Sequence, residues 1–404
     1  MKNKKIIPLT IAMVAVVLIG ILGMSKLFEN TWQQPEQADN SLKTELPDIE
    51  ILSPISTHGN VKRLDGSADM ADNNGVYSIQ MLNDGCHTMV YSDFSSGIAE
   101  IMCTKKWCSH TDENCTANVS ESAVLFTSNN RLYLVENMKT VFEISFTDYS
   151  RKLIAEFNQD YSYRGDRIFS NNEYFFTKMF CSKDNKYHIV AVNFKTGKIT
   201  PLTEINLKQE LVSAHEESIY LMEAAEHDGI SVCNIIKYNV STGKTEVMYT
   251  FDRNGTDYCV YEDTMFCMNK KEMLLKKITL STAEEQMIKD FSATDLNGDF
   301  AFRGANDRFV FIEFMPESRV IVVDTESGEF KENTLQRYNI RTDSQEKLVP
   351  MYVVDDKVVF CEGGKTITLT YDYVGKQQTT VPYYAFMLDT DYCNNIKNHT
   401  VMEY

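Results

Sequence analysis

The chain has 404 residues, of which 43% are hydrophobic and 11% aromatic, so its composition is that of a globular protein and not of a disordered one. Its formal net charge of −17 would repel a phosphate backbone, and no basic stripe offsets that charge, which argues against nucleic acid as a partner. Only 8 prolines accompany many Tyr, Phe, Val, Ile and Thr residues, a balance that favours strands.

The amino-terminal segment has the pattern of a membrane anchor. Lys2, Lys4 and Lys5 precede an uncharged run from Ile6 to Met24, which as a helix would be about 30 Å long and would just cross a bilayer. The positive-inside rule keeps the N-terminus in the cytoplasm and places the rest of the chain outside. Residues 1–26 are therefore predicted to be a single-pass transmembrane helix, with the cell membrane as the first partner.

Two other fates of this segment compete with a retained anchor. Gly23-Met24-Ser25 is a small-x-small triplet that a signal peptidase would accept, but the apolar run is longer than a usual signal-peptide core, which favours retention. Lipid attachment is disfavoured because no cysteine occurs before Cys86. Residues 27–72 are predicted to be an extracytoplasmic tether of mixed polar composition, and residues 73–404 the folded domain.

A short hairpin recurs along the folded domain. Its clearest copy runs from Asn193 to Lys198, and related turns lie at or near Gly97, Ser150, Gly197, Gly243, Ala283, Gly328 and Gly375. Successive turns in the second half of the chain are about 45 residues apart, and a period of this length built from strands is typical of a β-propeller. The sequence therefore predicts an all-β fold, a β-propeller of seven four-stranded blades.

A second polar turn precedes an apolar pair upstream of six of these hairpins and is predicted to join a blade's first and second strands. Its copies begin at Asn129, Asn171, Glu216, Glu262, Asn306 and Asp355. The first blade shows only three strands, so the C-terminal strand near Tyr383 to Leu388 is expected to supply its innermost strand and close the ring. The alternatives are a large β-sandwich, or eight blades if Lys331 to Glu346 forms strands and is not a blade-linking loop.

One group of residues stands out as a candidate metal site, namely Cys103, Cys108, His110 and Cys115 in the pattern Cys-x4-Cys-x-His-x4-Cys. Three thiols and one imidazole satisfy a tetrahedral zinc ion and leave no open position, so the predicted zinc is structural. An exported disulfide is an equal alternative. The group is expected in the loop between the first and second blades, on the face opposite the glycine hairpins.

The remaining residues carry few chemical signals. The other seven cysteines lie singly, most of them in or beside apolar runs, and are interpreted as small buried hydrophobes. His188 and the other histidines outside the group show no ligand spacing, and no metalloprotease, nucleophile-elbow or phosphate-loop motif occurs. No catalytic residue is predicted.

The Cys/His pattern resembles a family of exported β-propeller proteins of Clostridia-type Gram-positive bacteria. Cys103, Cys108, His110, Cys115 and Ala117 match its Cys-x4-Cys-x-His-x4-Cys-x-Ala segment, and Tyr384 to Met387 followed by Asp391-Tyr392 match its terminal strand. Lys106 stands where the family has Pro, and the lipoprotein cysteine common in the family is missing. The resemblance implies the fold and the exported location and implies no particular activity.

The function expected from these features is that of a membrane-tethered extracytoplasmic propeller that binds or senses a protein, peptide or glycan of the cell envelope. A non-enzymatic binding module is favoured because catalytic signatures are absent from the sequence. The alternative is a polysaccharide hydrolase or lyase of the propeller type, with acidic residues such as Asp299 on the face that carries Cys115.

Overall fold

The computed structural model describes residues 53–55, 70–82, 86–110, 114–157, 160–296, 298–339, 343–371 and 375–402. Within these ranges the chain forms a β-propeller of seven blades. The predicted membrane segment 1–26 and the tether residues 27–52 and 56–69 lie outside the described residues. In the part of the chain that is described, no helix is long and apolar enough to span a bilayer.

The first four blades follow one another along the chain as antiparallel sheets. Blade 1 contains β1 (Met70–Ala71), β2 (Gly75–Leu82), β3 (Cys86–Asp93) and β4 (Ala99–Ile101), with β5 (Asn118–Val119) also paired to β3. Blade 2 contains β6 (Val124–Ser128), β7 (Arg131–Glu136), β8 (Thr140–Ile144) and β9 (Arg151–Glu156). Blade 3 contains β10 (Tyr161–Ser170), β11 (Tyr174–Cys181), β12 (Lys186–Asn193) and β13 (Ile199–Ile205). Blade 4 contains β14 (Gln209–His215), β15 (Ser218–His227), β16 (Ile230–Asn239) and β17 (Thr245–Asp252).

The last three blades repeat the same order, with additions. Blade 5 contains β18 (Thr256–Tyr261), β19 (Thr264–Asn269), β20 (Leu274–Thr279) and β21 (Glu284–Asp290). Blade 6 contains β22 (Phe300–Ala305), β23 (Phe309–Phe314), β24 (Arg319–Asp324) and β25 (Phe330–Asn333). A separate hairpin of β26 (Gln336–Asn339) and β27 (Ser344–Lys347) follows. Blade 7 contains β28 (Tyr352–Val354), the long strands β29 (Lys357–Tyr371) and β30 (Gly375–Leu388), and β31 (Thr400–Val401), with helix α1 (Asp389–Cys393) before β31.

The segment from Lys331 to Glu346 contains strands but forms no eighth blade. Part of β25 completes blade 6, and β26 with most of β27 forms a two-stranded sheet of its own. Interpreting the whole segment as a loop was therefore wrong, while the count of seven blades is confirmed.

The predicted closure of the first blade by the C-terminal strand is wrong. Its innermost strand is β1, which precedes the other strands of the same blade in the chain, and Tyr383 to Leu388 belong to β30 in blade 7. The pattern was missed because β1 is only 2 residues long, too short to show an alternation of apolar and polar residues. The propeller thus begins at Met70, inside the range predicted as tether.

The first blade also has its own copy of the polar turn between first and second strands, at Asp72 to Gly75. The Asp72 Oδ1 atom accepts hydrogen bonds from the backbone N–H groups of Asn74 and Gly75, at 2.9 and 3.2 Å. Asn171 Oδ1 accepts equivalent bonds, at 2.9 and 2.8 Å, in blade 3. The six predicted turns of this type all join first and second strands, as expected.

The second class of predicted turn joins the third and fourth strands, and one assignment in it is wrong. Gly97, Gly197, Gly243 and Gly328 lie in such turns and all have positive φ values. Gly375 instead is the first residue of β30, after the hairpin from β29. This hairpin joins a second and a third strand, so it lies at the opposite end of the strands from the other turns of this class. In blade 7 the link between third and fourth strands contains α1, whose polar sequence has no glycine turn for the pattern to detect.

The blades contact one another through apolar side chains that lie within these turns. The ring of Phe194 stacks on that of Tyr133 in the preceding blade, with centroids 4.6 Å apart. Phe94, at the corresponding position of blade 1, packs against Phe386 of blade 7 with centroids 4.7 Å apart. The ring is therefore closed by the same kind of side-chain contact that joins its internal blades.

Polar side chains also bind successive blades at the turns between first and second strands. In each case a side chain at or near the end of a first strand donates to a backbone carbonyl in the next blade: Ser128 to Asn171, Ser213 to Glu262, and Asn306 to Asp355. Between blades 3 and 4 a piece of the predicted tether takes part. Asn171 Nδ2 donates to the carbonyl of Ser53 at 3.1 Å, and the N–H of Ile55, which is 2% exposed, donates to Glu216 at 2.7 Å.

Asn306 is the most connected of these turn residues. Its side chain accepts hydrogen bonds from two backbone N–H groups of its own turn and donates to Asp355 at 2.6 Å and to Asp389 at 2.8 Å, while the residue is 4% exposed.

We expect Asn306→Ala to lower the free energy of unfolding by about 2–4 kcal/mol, because it leaves buried polar groups unpaired. Denaturant unfolding measures this loss. Replacement of its exposed neighbour, Asp307→Ala, should cost less than about 0.5 kcal/mol, and equal losses would contradict the assignment.

The turn at Asp324 should make stability depend on acid pH. Hydrogen bonds from the backbone of Ser327 and from Arg308 hold the pKa of Asp324 below its ordinary value. Its contribution is therefore complete above the unfolded-state pKa and is lost as the pH falls through the lower folded-state pKa. We expect Asp324→Asn to be less stable than wild type by about 1 kcal/mol near pH 7, and we expect this difference to disappear as the pH falls below the folded-state pKa of Asp324.

Thermal unfolding between pH 3 and pH 7 tests this. Asn193 occupies the corresponding turn position of blade 3 and accepts equivalent bonds from Lys195 and Thr196. The reverse replacement, Asn193→Asp, should therefore introduce an acid-dependent contribution at that turn. Parallel stability curves for wild type and Asp324→Asn across the whole pH range would refute the role of the carboxylate.

Candidate metal centre and aromatic cleft

The segment that carries the Cys/His group is an insertion within the outer edge of blade 1. Before the insertion, Met102 N donates to the carbonyl of Met89 at 3.0 Å, and after it Met89 N donates to the carbonyl of Ala117 at 2.8 Å. Both ends of the insertion thus bond to one residue of β3, and β5 then continues along the same strand. The expected position in a loop between blades is corrected accordingly, because the insertion interrupts the outermost strand of blade 1.

The structure brings the four predicted ligands together. One donor atom from each of Cys103, Cys108, His110 and Cys115 lies within 4.8 Å of the others, and His110 Nδ1 is 3.4 Å from Cys115 Sγ. A tetrahedral zinc ion with its usual bond lengths requires sulfur and nitrogen donors about 3.5–3.8 Å apart. The structure contains no S–S bond between these three cysteines. The donor set and its spacing therefore fit a closed, four-ligand zinc site.

The backbone of the insertion is held in shape by local contacts. Trp107 and His110 have φ values of 61° and 60°, in the left-handed region. Cys108 N donates to the carbonyl of Lys105 at 3.4 Å, and Lys105 Nζ reaches the carbonyl of Asn114 across the group. Such unfavourable backbone angles persist only where surrounding contacts fix them. In this insertion, the backbone that adopts these angles surrounds the four donor side chains of the Cys/His group.

Arg151 of blade 2 fastens the end of the insertion. Its guanidinium donates to the carbonyl of Thr116 at 2.9 Å and to that of Asn118, and pairs with Glu136 at 2.9 Å. The side chain of Thr116 in turn donates to the carbonyl of Met102 at 3.0 Å. The Cys/His group is therefore tied to both blade 1 and blade 2.

The thiols differ in their electrostatic surroundings. Burial raises the pKa of Cys115 to about 11, so that thiol is protonated at neutral pH unless a cation displaces its proton. Burial acts in the same sense on Cys103, but hydrogen bonds from the backbone of Lys105 and from the neighbouring thiols outweigh it and lower the pKa of Cys103. A metal ion would supply the positive charge needed to hold both residues as thiolates.

Sequence reasoning missed a second feature, an aromatic cleft of about 530 Å³ on the face formed by the turns between first and second strands and between third and fourth strands. We call it the aromatic cleft. Its walls carry the rings of Tyr77 and Tyr91, stacked with centroids 4.8 Å apart, and the ring of Phe146, 6.1 and 6.3 Å from them. Polar groups share the lining, namely Asn73, Asn74, Asp93, Ser95, Glu100, Asn130 and Lys357.

Tyr77 places a buried hydroxyl beside this cleft. The residue is fully buried, and its hydroxyl interacts with the carboxyl of Asp72 and the hydroxyl of Tyr91. Burial, together with the negative charge of the nearby Asp72 carboxyl, holds the pKa of Tyr77 well above its ordinary value. The hydroxyl is therefore neutral, and the ring of Tyr77 supports the stacked ring of Tyr91 in the wall of the cleft.

Tyr149 occupies a position where the other blades favour small residues. Its N–H donates to the carbonyl of the residue four positions earlier, as the N–H groups of Gly97, Gly197 and Gly328 do in their turns, and its φ is 56°. At Gly197 an added Cβ would lie 2.6 Å from the carbonyl oxygen of Ile154. In blade 2 this position is occupied by Tyr149, whose hydroxyl donates to the carboxylate of Glu100. A residue other than glycine in the left-handed backbone region costs on the order of 1–2 kcal/mol of stability. The sequence predicted a turn near Ser150 but gave no sign of this strain at Tyr149.

The acidic residues considered for catalysis have protein partners. Asp299 pairs with Lys270 at 2.6 Å and does not belong to the Cys/His group. In the aromatic cleft, Asp93 accepts from the backbone of its own turn at Ser96, and Glu100 accepts from Tyr149. Each of these three carboxylates therefore has a partner within the protein.

Another cleft, of about 700 Å³, lies beside β26 and β27. Its two arginines are compensated: Arg303 Nε donates to Glu313 at 2.6 Å, and Arg337 pairs with Glu346 at 3.2 Å. The charges of these two arginines are thus already paired within the protein.

Comparison with known proteins supports the fold. No protein-family profile and no curated protein sequence matches the chain. The oligogalacturonate lyase of Vibrio parahaemolyticus is 9% identical, with a TM-score of 0.50 over 85% of this chain and 93% of that one. An oligogalacturonate lyase in complex with manganese is 9% identical (TM-score 0.48; 84% and 91% covered), and the acylaminoacyl peptidase of Pyrococcus horikoshii is 11% identical (0.48; 81% and 59%). At these identities the likeness shows a β-propeller fold and nothing finer.

If the Cys/His group holds zinc, the purified chain should contain about one zinc ion at this site, because four protein ligands complete its coordination. We expect Cys108→Ser to lose that ion and to unfold at a lower temperature. Cys361→Ser is the control, because Cys361 lies in blade 7 and donates to Gly363 at 3.1 Å, a bond that serine preserves. Elemental analysis with a thiol count gives the result, and the absence of metal with two thiols blocked would establish the disulfide instead.

Proposed function

We propose that the chain is a membrane-tethered, extracytoplasmic β-propeller that binds a neutral or amino-sugar glycan of the cell envelope in the aromatic cleft. The Cys/His group holds a structural zinc ion that fastens the insertion beside blade 1. The N-terminal segment acts as the single-pass anchor, with its N-terminus in the cytoplasm. The observation that carries the proposal is the aromatic cleft, with the stacked rings of Tyr77 and Tyr91 and the exposed ring of Phe146 in its lining.

The chemistry of the cleft suits a sugar ring. Sugars present an apolar face that packs on aromatic rings and hydroxyl groups that bond to amides and carboxylates. Phe146 is 43% exposed, so its ring is available for such a contact. The side-chain amides of Asn74 and Asn130 lie in the same lining.

The side chain of Tyr149 also contributes to the cleft. Glycine would relieve the left-handed strain at this position, yet the chain places there an aromatic side chain that lines the cleft. The engaged carboxylates of Asp93 and Glu100 favour binding over hydrolysis or elimination.

The charge of the protein restricts the class of glycan. The chain carries a net charge of −17, and Lys357, which lines the cleft, is paired with Asp356 at 2.7 Å. An anionic polymer would be repelled on approach, and the cleft offers no unpaired cation to hold it. A neutral or amino-sugar polymer is consistent with both facts.

The test is binding of the full-length chain, purified in detergent, to solubilised envelope glycans. We expect Phe146→Ala to weaken binding about five- to thirtyfold, since an aromatic contact contributes about 1–2 kcal/mol. Met287→Ala removes another exposed apolar side chain, on blade 5 and outside the cleft lining, and should bind as wild type does. Isothermal titration or retention on immobilised glycan gives the affinities.

A pair of glycine replacements separates binding from stability. Tyr149→Gly should lose affinity, whereas Ala283→Gly, at the corresponding turn position of blade 5, should relieve strain and leave affinity unchanged. Failure of the wild-type chain to retain any envelope glycan, or equal binding by wild type, Phe146→Ala and Tyr149→Gly, would overturn the proposal.

A further inference from the structure

A second group of metal-binding side chains lies on blade 3, at the hairpin between β11 and β12. Cys181 ends β11, Asp184 lies in the turn, and His188 belongs to β12. One donor atom from each of the three residues lies within 4.8 Å of the others. This hairpin joins a second and a third strand, so it lies on the face of the ring opposite the aromatic cleft.

Strand pairing, and not spacing in the sequence, creates the group. Cys181 is opposite Lys186 and Met179 is opposite His188, so the side chains of Cys181 and His188 are diagonal neighbours on one face of the sheet. Asp184 turns back toward them. Its Oδ1 accepts from the backbone of Lys186 at 3.1 Å, while its Oδ2 lies 2.8 Å from His188 Nε2. The sequence spacing gives no sign of this group, because His188 reaches Cys181 and Asp184 only through strand pairing and the turn.

The three donors range from buried to accessible. Cys181 is 3% exposed, the side chain of His188 is 13% exposed, and that of Asp184 is 41% exposed. A cation can therefore enter from the Asp184 side and reach a thiol that is shielded from bulk solvent.

The neighbouring lysines do not neutralise Asp184. Lys183 pairs with Asp160 at 2.6 Å, and Lys186 pairs with Glu204 at 2.6 Å. Each of these cations is thus engaged by a carboxylate outside the group. The negative charge that a divalent ion requires remains available at Asp184.

We propose that Cys181, Asp184 and His188 bind a divalent transition-metal ion of the zinc class, with three protein ligands and one position open to water or an external ligand. Thiolate and imidazole donors favour zinc, cobalt or nickel over magnesium and calcium, which prefer oxygen alone. The Cys103 group differs because its four donors fill a tetrahedron. This site is independent of the proposed glycan binding.

The competing explanation is a simple hydrogen bond between His188 and Asp184 across the hairpin. His188→Gln distinguishes the two, since a glutamine amide can still donate to Asp184 but is a poor zinc ligand. His215→Gln is the matched control: His215 lies 4.0 Å from Glu216 in blade 4 and belongs to neither donor group among the described residues.

The experiment loads the full-length, reduced chain with Zn²⁺ or Co²⁺ under anaerobic conditions and counts bound ions. We expect wild type and His215→Gln to bind two ions, His188→Gln and Cys103→Ser to bind one, and the combination of the last two to bind none. Bound Co²⁺ should give thiolate charge-transfer absorption, part of which is lost in His188→Gln. The affinity of the blade 3 group for the metal ion should fall by more than about a hundredfold in this variant.

The proposal is overturned if His188→Gln binds as many ions as wild type, or if His215→Gln loses as much as His188→Gln. One ion in wild type that His188→Gln removes and Cys103→Ser retains would support the blade 3 site while refuting zinc at the Cys103 group.

Discussion

The structure depends on how each blade is bound to the next at the turn between its first and second strands. Backbone hydrogen bonds hold the strands within a blade, but few of those described cross from one blade to another, as the N–H of Tyr163 in blade 3 does when it donates to the carbonyl of Met138 in blade 2 at 3.1 Å. Side chains at the ends of the first strands fill this role, as when Asn306 orders its own turn through two backbone N–H groups and donates to the following blade. The polar turn residues therefore specify both the hairpin and the angle at which the next blade docks.

Blades 3 and 4 show what happens when this link is altered. Asn171 accepts the same bonds within its turn, yet its amide donates to Ser53, and the adjacent Ile55 bonds to blade 4. A short piece of the N-terminal segment thus mediates the contact between the two blades. The buried side chain of Ile55 adds an apolar contribution, so the segment that leads toward the predicted anchor is itself bound to the propeller.

The repeat could be predicted from sequence because the turn chemistry is local. Asx side chains, left-handed glycines and β-branched runs act within a few residues, and six turns of each class were placed correctly on that basis. β1 and α1 were missed because a two-residue strand and a helical link carry no periodic signal. The pairing of Cys181 with His188 and the assembly of the aromatic cleft depend on register and on contacts between blades, which no local pattern encodes.

The candidate sites all occur where one blade departs from the common pattern. The insertion at Met89 interrupts an outer strand, Tyr149 replaces a glycine-type residue, and the hairpin after Cys181 places a carboxylate above a thiol and an imidazole. A frame of nearly equivalent blades tolerates such departures, because each blade contacts only its neighbours and the remaining interfaces are unchanged. A net charge of −17 favours the approach of cations to the protein and disfavours that of anions. The proposed cation sites and the proposed glycan cleft therefore make opposite demands on charge, and the composition of the chain is consistent with both.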